Sequence, residues 1–258
     1  MSQNRTTEKI NVRGVYFDNV TKTEAFEKVC ALIDDKTSLS VMYTPNSEIV
    51  QNCIDDNSLY KVINSAQLVI PDGIGVIYAS RVLKTPLKQK VAGVEMAALI
   101  AEYAAKNGLG LYILGGGKAN FDEPSVAQAA GEKLCERYPG LVISGTRDGY
   151  FTDSDNDAIV ESINASGAQI LFVCLGAPKQ EKWIYQNRDK LKVSFAAGLG
   201  GTVDVFAEKV KRAPEFFVKA NLEWLYRLLK EPKRAGRMLS LPKFMLGTII
   251  HKNKGTEQ

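Results

Sequence analysis

ILFVCLGAPKQEKWIYQN, residues 170–187, runs from a short apolar stretch through a Gly-Ala-Pro break into a polar, helix-prone segment. A short apolar run closed by Gly and Pro reads as a buried strand, and proline suits the first turn of a helix. The spacing predicts a strand over Ile170–Cys174 and a helix over Lys179–Asn187. The same unit recurs outward in both directions. Strands are predicted at Val12–Phe17, Leu39–Tyr43, Gln67–Ile70, Leu111–Leu114, Leu141–Ser144 and Val193–Ala196. Helices are predicted at Thr21–Asp34, Val94–Lys106, Ser125–Tyr138 and Asp155–Ala165, the first opened by Thr21 with Glu24 three residues on, a capping-box pattern. Alternating strands and helices imply an α/β fold, a Rossmann-like, mainly parallel sheet with helices on both faces. Ligands of such sheets bind beyond the carboxyl ends of the strands. Thr44-Pro45-Asn46, Pro71-Asp72-Gly73, Gly115-Gly116-Gly117, Gly176–Glu181 and Gly198–Gly201 all fall there.

Charge divides the chain. Residues 209–258 hold 12 Lys/Arg against 4 Asp/Glu, a net of +8, whereas the preceding 208 hold 21 against 25, a net of −4. The basic tail is also apolar, and from about Ala213 its pattern is helical throughout, so a helical appendage suited to an anionic membrane surface is expected at 209–258. A lipid-facing stripe is predicted from Leu241, Phe244, Met245, Thr248 and Ile249. The stretch Met238–Ile250 is about half a membrane span and contains Pro242 and Lys243, which argues against a spanning helix. The N-terminus MSQNRTTEKI has no apolar core and is not read as a signal peptide. Four cysteines without a CxxC pair fit a reducing cytoplasm.

His251 is the sole histidine, which removes a Ser-His-Asp triad, a His-rich zinc site and an imidazole base in the body. A carboxylate is then the expected proton carrier. Asp72, between Pro71 and Gly73 at a strand end, is the candidate, with Thr44 and Asn46 at another strand end of the same edge. Gly115 and Gly116 are candidates for backbone contact with a phosphate. Lys179 and Gln180 are expected to point toward the same edge. Arg227, Arg234 and Arg237, spaced by seven and three, would share one face of a continuous helix, although Pro232 interrupts it. Asp153, Asp155 and Asp157 imitate a metal loop, but Ala158 and Asn164 stand where an EF-hand needs Gly and an acid; the run reads as a helix cap. No metal site is expected. A nicotinamide-dependent oxidoreductase is disfavoured because Asn120 breaks the GxGxxG pattern. A nucleic-acid binder is disfavoured by the apolar tail and acidic body. A non-catalytic membrane module that senses nucleotide sugars would tolerate loss of Asp72.

Gly14–Asp18, Thr44–Asn46, Pro71–Gly73, Val91–Val94, Gly176–Glu181, Gly198–Asp204, and the tail elements Lys211–Pro214, Glu223–Arg227 and Glu231–Arg234 run in order over nearly the whole chain. Together they resemble the WecG/TagA/CpsF family of bacterial glycosyltransferases. The resemblance implies metal-independent, inverting transfer from a UDP-sugar, expected to be UDP-N-acetylmannosamine, to N-acetylglucosamine on undecaprenyl diphosphate in teichoic-acid or related synthesis. N-acetylmannosamine uronic acid and glucose are alternative transferred sugars. It implies Asp72 as base, Thr44 as a second catalytic residue, and Asn46 and Gln180 in the pocket. Arg227, Arg234 and Arg237 would reach the diphosphate. Lys90 departs from the arginine frequent in relatives, keeping the charge but not a bidentate contact. Residues 1–208 would be the catalytic domain and 209–258 an appendage for membrane association and site completion. The implied partners are the donor, the polyprenyl-diphosphate acceptor and an anionic membrane surface at the cytoplasmic face, with self-association left open and no nucleic acid. No cofactor is implied, the UDP-sugar being a substrate.

Overall fold

A computed structural model describes residues 8–210, 213–219, 222–230 and 240–255. Six strands form the main sheet: β3 (Ser40–Tyr43), β4 (Leu68–Val69), β5 (Gly110–Gly115), β6 (Val142–Arg147), β7 (Ile170–Cys174) and β8 (Phe195–Gly198). Their order is β4-β3-β8-β7-β5-β6 and every pairing is parallel. Successive side chains of a strand point to opposite faces, and here both faces are covered. Val41 and Tyr43 join one apolar layer and Met42 the other; Leu171 and Val173 oppose Ile170 and Phe172 in the same way. This is why the strands read as continuous apolar runs.

One layer is roofed by α2 (Ser47–Asp55), α3 (Ser58–Asn64), α4 (Ile74–Val82), α7 (Asn156–Ala165) and α8 (Lys179–Asn187). The other is roofed by α1 (Lys22–Asp34), α5 (Gly93–Asn107), α6 (Val126–Arg137) and α9 (Thr202–Phe206). The capping box of α1 forms as expected: Thr21 Oγ1 accepts from the Glu24 amide at 3.2 Å, and the Thr21 amide donates to Glu24 Oε2 at 2.7 Å. Two acids of the run at the start of α7 have protein partners. Asp155 Oδ2 accepts from the Thr152 amide, and Asp157 pairs with Lys190 at 2.8 Å.

The single strand expected at Val12–Phe17 is instead a hairpin of β1 (Lys9–Val12) and β2 (Val15–Asp18). Arg13 and Gly14 both have positive φ, 55° and 91°, as a two-residue hairpin turn requires; an arginine at the first position hid it. Asp18 at its end is fully buried. It accepts from Lys28 Nζ at 2.7 Å and from the Val69 amide at 2.9 Å, tying the hairpin to the sheet.

The basic tail holds α10 (Glu215–Lys219), α11 (Glu223–Lys230) and α12 (Ser240–Gly255). Among the described residues, no helix is long and apolar enough to cross a membrane. α12 packs on α2 and α4. Phe244 and Thr248 are 0% exposed, the Arg13 guanidinium donates to the Gly247 carbonyl, and Lys243 pairs with Asp55 at 2.9 Å. The stripe predicted to face lipid is therefore largely the docking face. The large apolar side chains it leaves exposed, among the described residues, are Leu246, Ile249 and Ile250. A helix apolar on two sides has no single face legible from periodicity, and the body takes the side bearing Phe244.

Candidate active site

β3 exits into Thr44-Pro45-Asn46 and β4 into Ile70-Pro71-Asp72-Gly73, so the two clusters stand side by side on the carboxyl edge. The Asp72 amide donates to the Pro45 carbonyl at 3.3 Å and the Val91 amide to the Pro71 carbonyl at 2.9 Å, lacing the exits together and to the approach of α5. Gly73 has φ +108°, a conformation favouring glycine, and lets the chain turn straight into α4.

The Gly93 amide at the start of α5 donates to Asp72 Oδ2 at 3.1 Å. A Cβ on Gly93 would lie 3.3 Å from both Asp72 Oδ2 and Thr44 Oγ1. Glycine at this position is what lets the carboxylate and the hydroxyl converge on the helix N-terminus. Thr44 Oγ1 also donates to the Gly198 carbonyl at 3.2 Å. Asn46 caps α2 by accepting from the Ile49 amide at 3.0 Å, so what it offers a ligand is its NH2 group.

Asp72 and Asn46 line a cleft of about 240 Å³ together with Gly73, Leu199, Gly201 and Thr202, while Thr44 and Gly93 stand against Asp72 outside that lining. Its outer wall comes from the tail: Glu223 and Trp224 of α11, and Ser240 and Leu241 of α12. Leu241 can close in because Gly75 has no side chain; a Cβ there would meet Leu241 Cδ1 at 2.6 Å. Lys90 forms an ion pair with Glu223 at 2.9 Å, both 19% exposed, which fastens α11 to the body.

The other expected site residues are dispersed. Gln180 is 2% exposed and does not line the cleft; its Oε1 accepts from the Gly200 amide at 2.8 Å. Lys179 parts from it, is exposed, and donates to the Gly149 carbonyl at 3.3 Å with its ammonium over the Phe151 ring. Neighbouring helical positions point about 100° apart, so the two could not share one direction. Gly115 and Gly116 also lie outside the cleft lining. The Gly116 amide donates to the Cys174 carbonyl at 3.2 Å, and α6 begins only at Val126, so the glycines do not open a helix. Both are closely packed: a Cβ on Gly115 would overlap the Cys174 carbonyl, and one on Gly116 would meet Val126 Cβ at 2.8 Å. Arg227 lies on α11, while Arg234 and Arg237 lie outside the described residues. Among the described residues no group of three His, Cys, Asp or Glu is placed to hold a metal ion.

Gly93, Glu223 and Trp224 were not singled out as site residues from the sequence. Gly93 carried one signal, a glycine opening a helix where its low helix propensity calls for another reason.

A parallel sheet with a carboxylate and an amide lining one cleft at its carboxyl edge defines an α/β enzyme acting at its strand ends. The chain belongs to the glycosyl transferase WecG/TagA/CpsF family, whose sequence pattern matches residues 10–258. It is 34% identical over 218 residues to an N-acetylglucosaminyldiphosphoundecaprenol N-acetyl-beta-D-mannosaminyltransferase of Bacillus spizizenii, covering 84% of this chain and 82% of that one. A protein of the same name from Staphylococcus aureus strain MW2 is 33% identical over 249 residues, 96% and 95% of the two chains.

Proposed function

We propose that this protein transfers N-acetylmannosamine from UDP-N-acetylmannosamine to N-acetylglucosaminyl-diphosphoundecaprenol, forming a β-1,4 link in teichoic-acid or related surface-polymer synthesis. The observation that carries the reading is the convergence of Asp72 and Thr44 on Gly93, at the cleft of a chain similar over most of its length to mannosaminyltransferases.

UDP-sugars of this kind are α-linked at the anomeric carbon, so a β product requires inversion and a single displacement. Asp72 removes the proton of the attacking acceptor hydroxyl as that oxygen bonds to the anomeric carbon. The bond from that carbon to the diphosphate oxygen breaks, and its electron pair leaves with UDP. The hydrogen bond from the Gly93 amide aims the carboxylate. The NH2 of Asn46 is suited to a sugar oxygen, and Thr44 holds the Gly198 end of the cleft wall. Glu48 and Glu223 also border the cleft, so the leaving diphosphate needs cations brought from elsewhere. Arg227, Arg234 and Arg237 of the tail are assigned that task.

In this reading residues 1–208 carry the donor site and 209–258 complete it at the inner face of the membrane. Leu246, Ile249 and Ile250, exposed on α12 and followed in sequence by Lys252 and Lys254, suit an anionic lipid surface. The test is mass spectrometry of the product formed by purified protein with a panel of UDP-sugars and a lipid-diphosphate N-acetylglucosamine acceptor. A disaccharide lipid formed with UDP-N-acetylmannosamine and not with the uronic acid or glucose donors is expected. Transfer of another sugar in its place overturns the donor assignment.

A further inference from the structure

Beneath the β8 side of the cleft lies a carboxyl group that the transfer step does not use. Glu181 on α8 is 1% exposed. Its Oε1 accepts from Gln180 Nε2 at 2.8 Å, and its Oε2 has no hydrogen-bond partner. An unpartnered buried carboxyl oxygen destabilises a fold, and an apolar side chain of similar volume would cost less. Violations of this kind concentrate where function requires them.

The polarity of the bonds around Gln180 supplies a reason. The Gly200 N–H is a donor fixed by the backbone, and its partner is the Gln180 amide at 2.8 Å. Gln180 must therefore turn its carbonyl oxygen to Gly200, and its NH2 then faces residue 181, where only an acceptor is tolerated. The opposite amide orientation would oppose two donors. Gln180 Nε2 also lies 3.2 Å from where a Cβ on Gly198 would stand, and Thr44 holds the Gly198 carbonyl from the other side. The loop Gly198–Gly201 is pinned between them, and Leu199 and Gly201 line the cleft.

We propose that Glu181 is a positioning residue: through Gln180 its carboxyl fixes the Gly198–Gly201 loop, the wall against which the substrate is set beside Asp72. The inference deepens the transferase reading and rests on it for its catalytic consequence, though not for its structural one. Burial holds the Glu181 pKa up to about 7, so the strength of its grip on Gln180 changes near neutral pH. The groups facing it are Tyr43 of β3 and Cys53 of α2, with Asp56 beyond α2 and Tyr185 and Arg188 around Tyr43 on the α8 side. Burial raises the Tyr43 hydroxyl strongly and the Cys53 thiol to about 12, while hydrogen bonds from Ser58 hold Asp56 low. Glu181 is thus the group of this cluster that titrates near neutrality.

The test compares full-length wild type, Glu181→Gln and Glu181→Leu by hydrogen exchange at the Gly200 amide and by turnover across the neutral range. Wild-type turnover should rise about fivefold through neutral pH, the worth of converting a neutral hydrogen bond into a charge-assisted one. Glu181→Gln keeps an acceptor, so it should retain Gly200 protection and most turnover but lose the pH step. Glu181→Leu should exchange Gly200 at least about tenfold faster and turn over about tenfold more slowly while staying folded, the loss expected for one hydrogen bond. Wild-type exchange and turnover in Glu181→Leu would overturn the proposal, as would a pH step that survives in Glu181→Gln. If Glu181→Leu does not fold, Glu181→Gln decides alone by the same step. If Gly200 exchange follows expectation but even wild type transfers no sugar, the transferase reading fails and the positioning role stands.

Discussion

Phe244→Ala removes the ring that α12 sinks between α2 and α4. Phe244 is fully buried and belongs to the same apolar layer as Val50, Cys53 and Val76. Truncating a fully buried phenylalanine to alanine costs about 3–5 kcal/mol, through lost transfer free energy and the cavity left behind. The lower end applies here, because a helix docked from outside can settle inward and shrink the cavity. With about 2–4 °C of melting temperature per kcal/mol for a chain of this size, Tm should fall by about 9 °C. Ile250→Ala, on the exposed side of the same helix, should stay within about 0.5 kcal/mol. Thermal unfolding by circular dichroism reads both, and vesicle co-sedimentation should show the reverse order, with Ile250→Ala weakening lipid binding. A Phe244→Ala protein that melts with wild type while Ile250→Ala is destabilised would mean that α12 docks by its other face. The same packing implies that truncation near residue 208 bares apolar core and does not leave an intact body.

Gly93→Ala should leave Tm unchanged or slightly raised, since alanine is the better helix former, yet lower turnover about tenfold by crowding Asp72 and Thr44 at 3.3 Å; unaltered kinetics would remove Gly93 from the site. Glu181 should make stability fall with pH. Its folded pKa, about 7, lies above the ordinary 4.5, so the folded state binds more protons between those values and loses about 3 kcal/mol as pH rises through that window, with no further loss above it. Urea titrations should show that slope in wild type and its absence in Glu181→Gln. Turnover should be unchanged in EDTA, and loss of activity restored by magnesium or manganese would overturn the metal-free mechanism.

Strands β3, β5, β7 and β8 were legible because they are apolar on both faces, and helices α1 and α6 because each carries a start signal, at Thr21 and Ser125. The order of the strands was not legible, because insertion of β8 between β3 and β7 is decided by long-range packing. Asp72, Thr44 and Asn46 could be placed on one edge since each lies within three residues of a strand end. Strand-end position does not by itself decide which side chains face the cleft. Gln180 lies behind the wall, and Lys179 turns to the β6 exit at Gly149. Lys90 stands where relatives often carry arginine, and its ion pair with Glu223 could not be read locally, because Glu223 lies 133 residues further along the chain.

Asp72→Asn tests the central claim most directly. The amide keeps the shape of the carboxylate and can still accept from the Gly93 amide, but it has almost no basicity. Turnover with UDP-N-acetylmannosamine and the lipid-diphosphate acceptor should fall by about two to four orders of magnitude, while UDP affinity measured by calorimetry stays near wild type. Near-normal turnover in that variant would contradict the account and take Asp72 out of the mechanism.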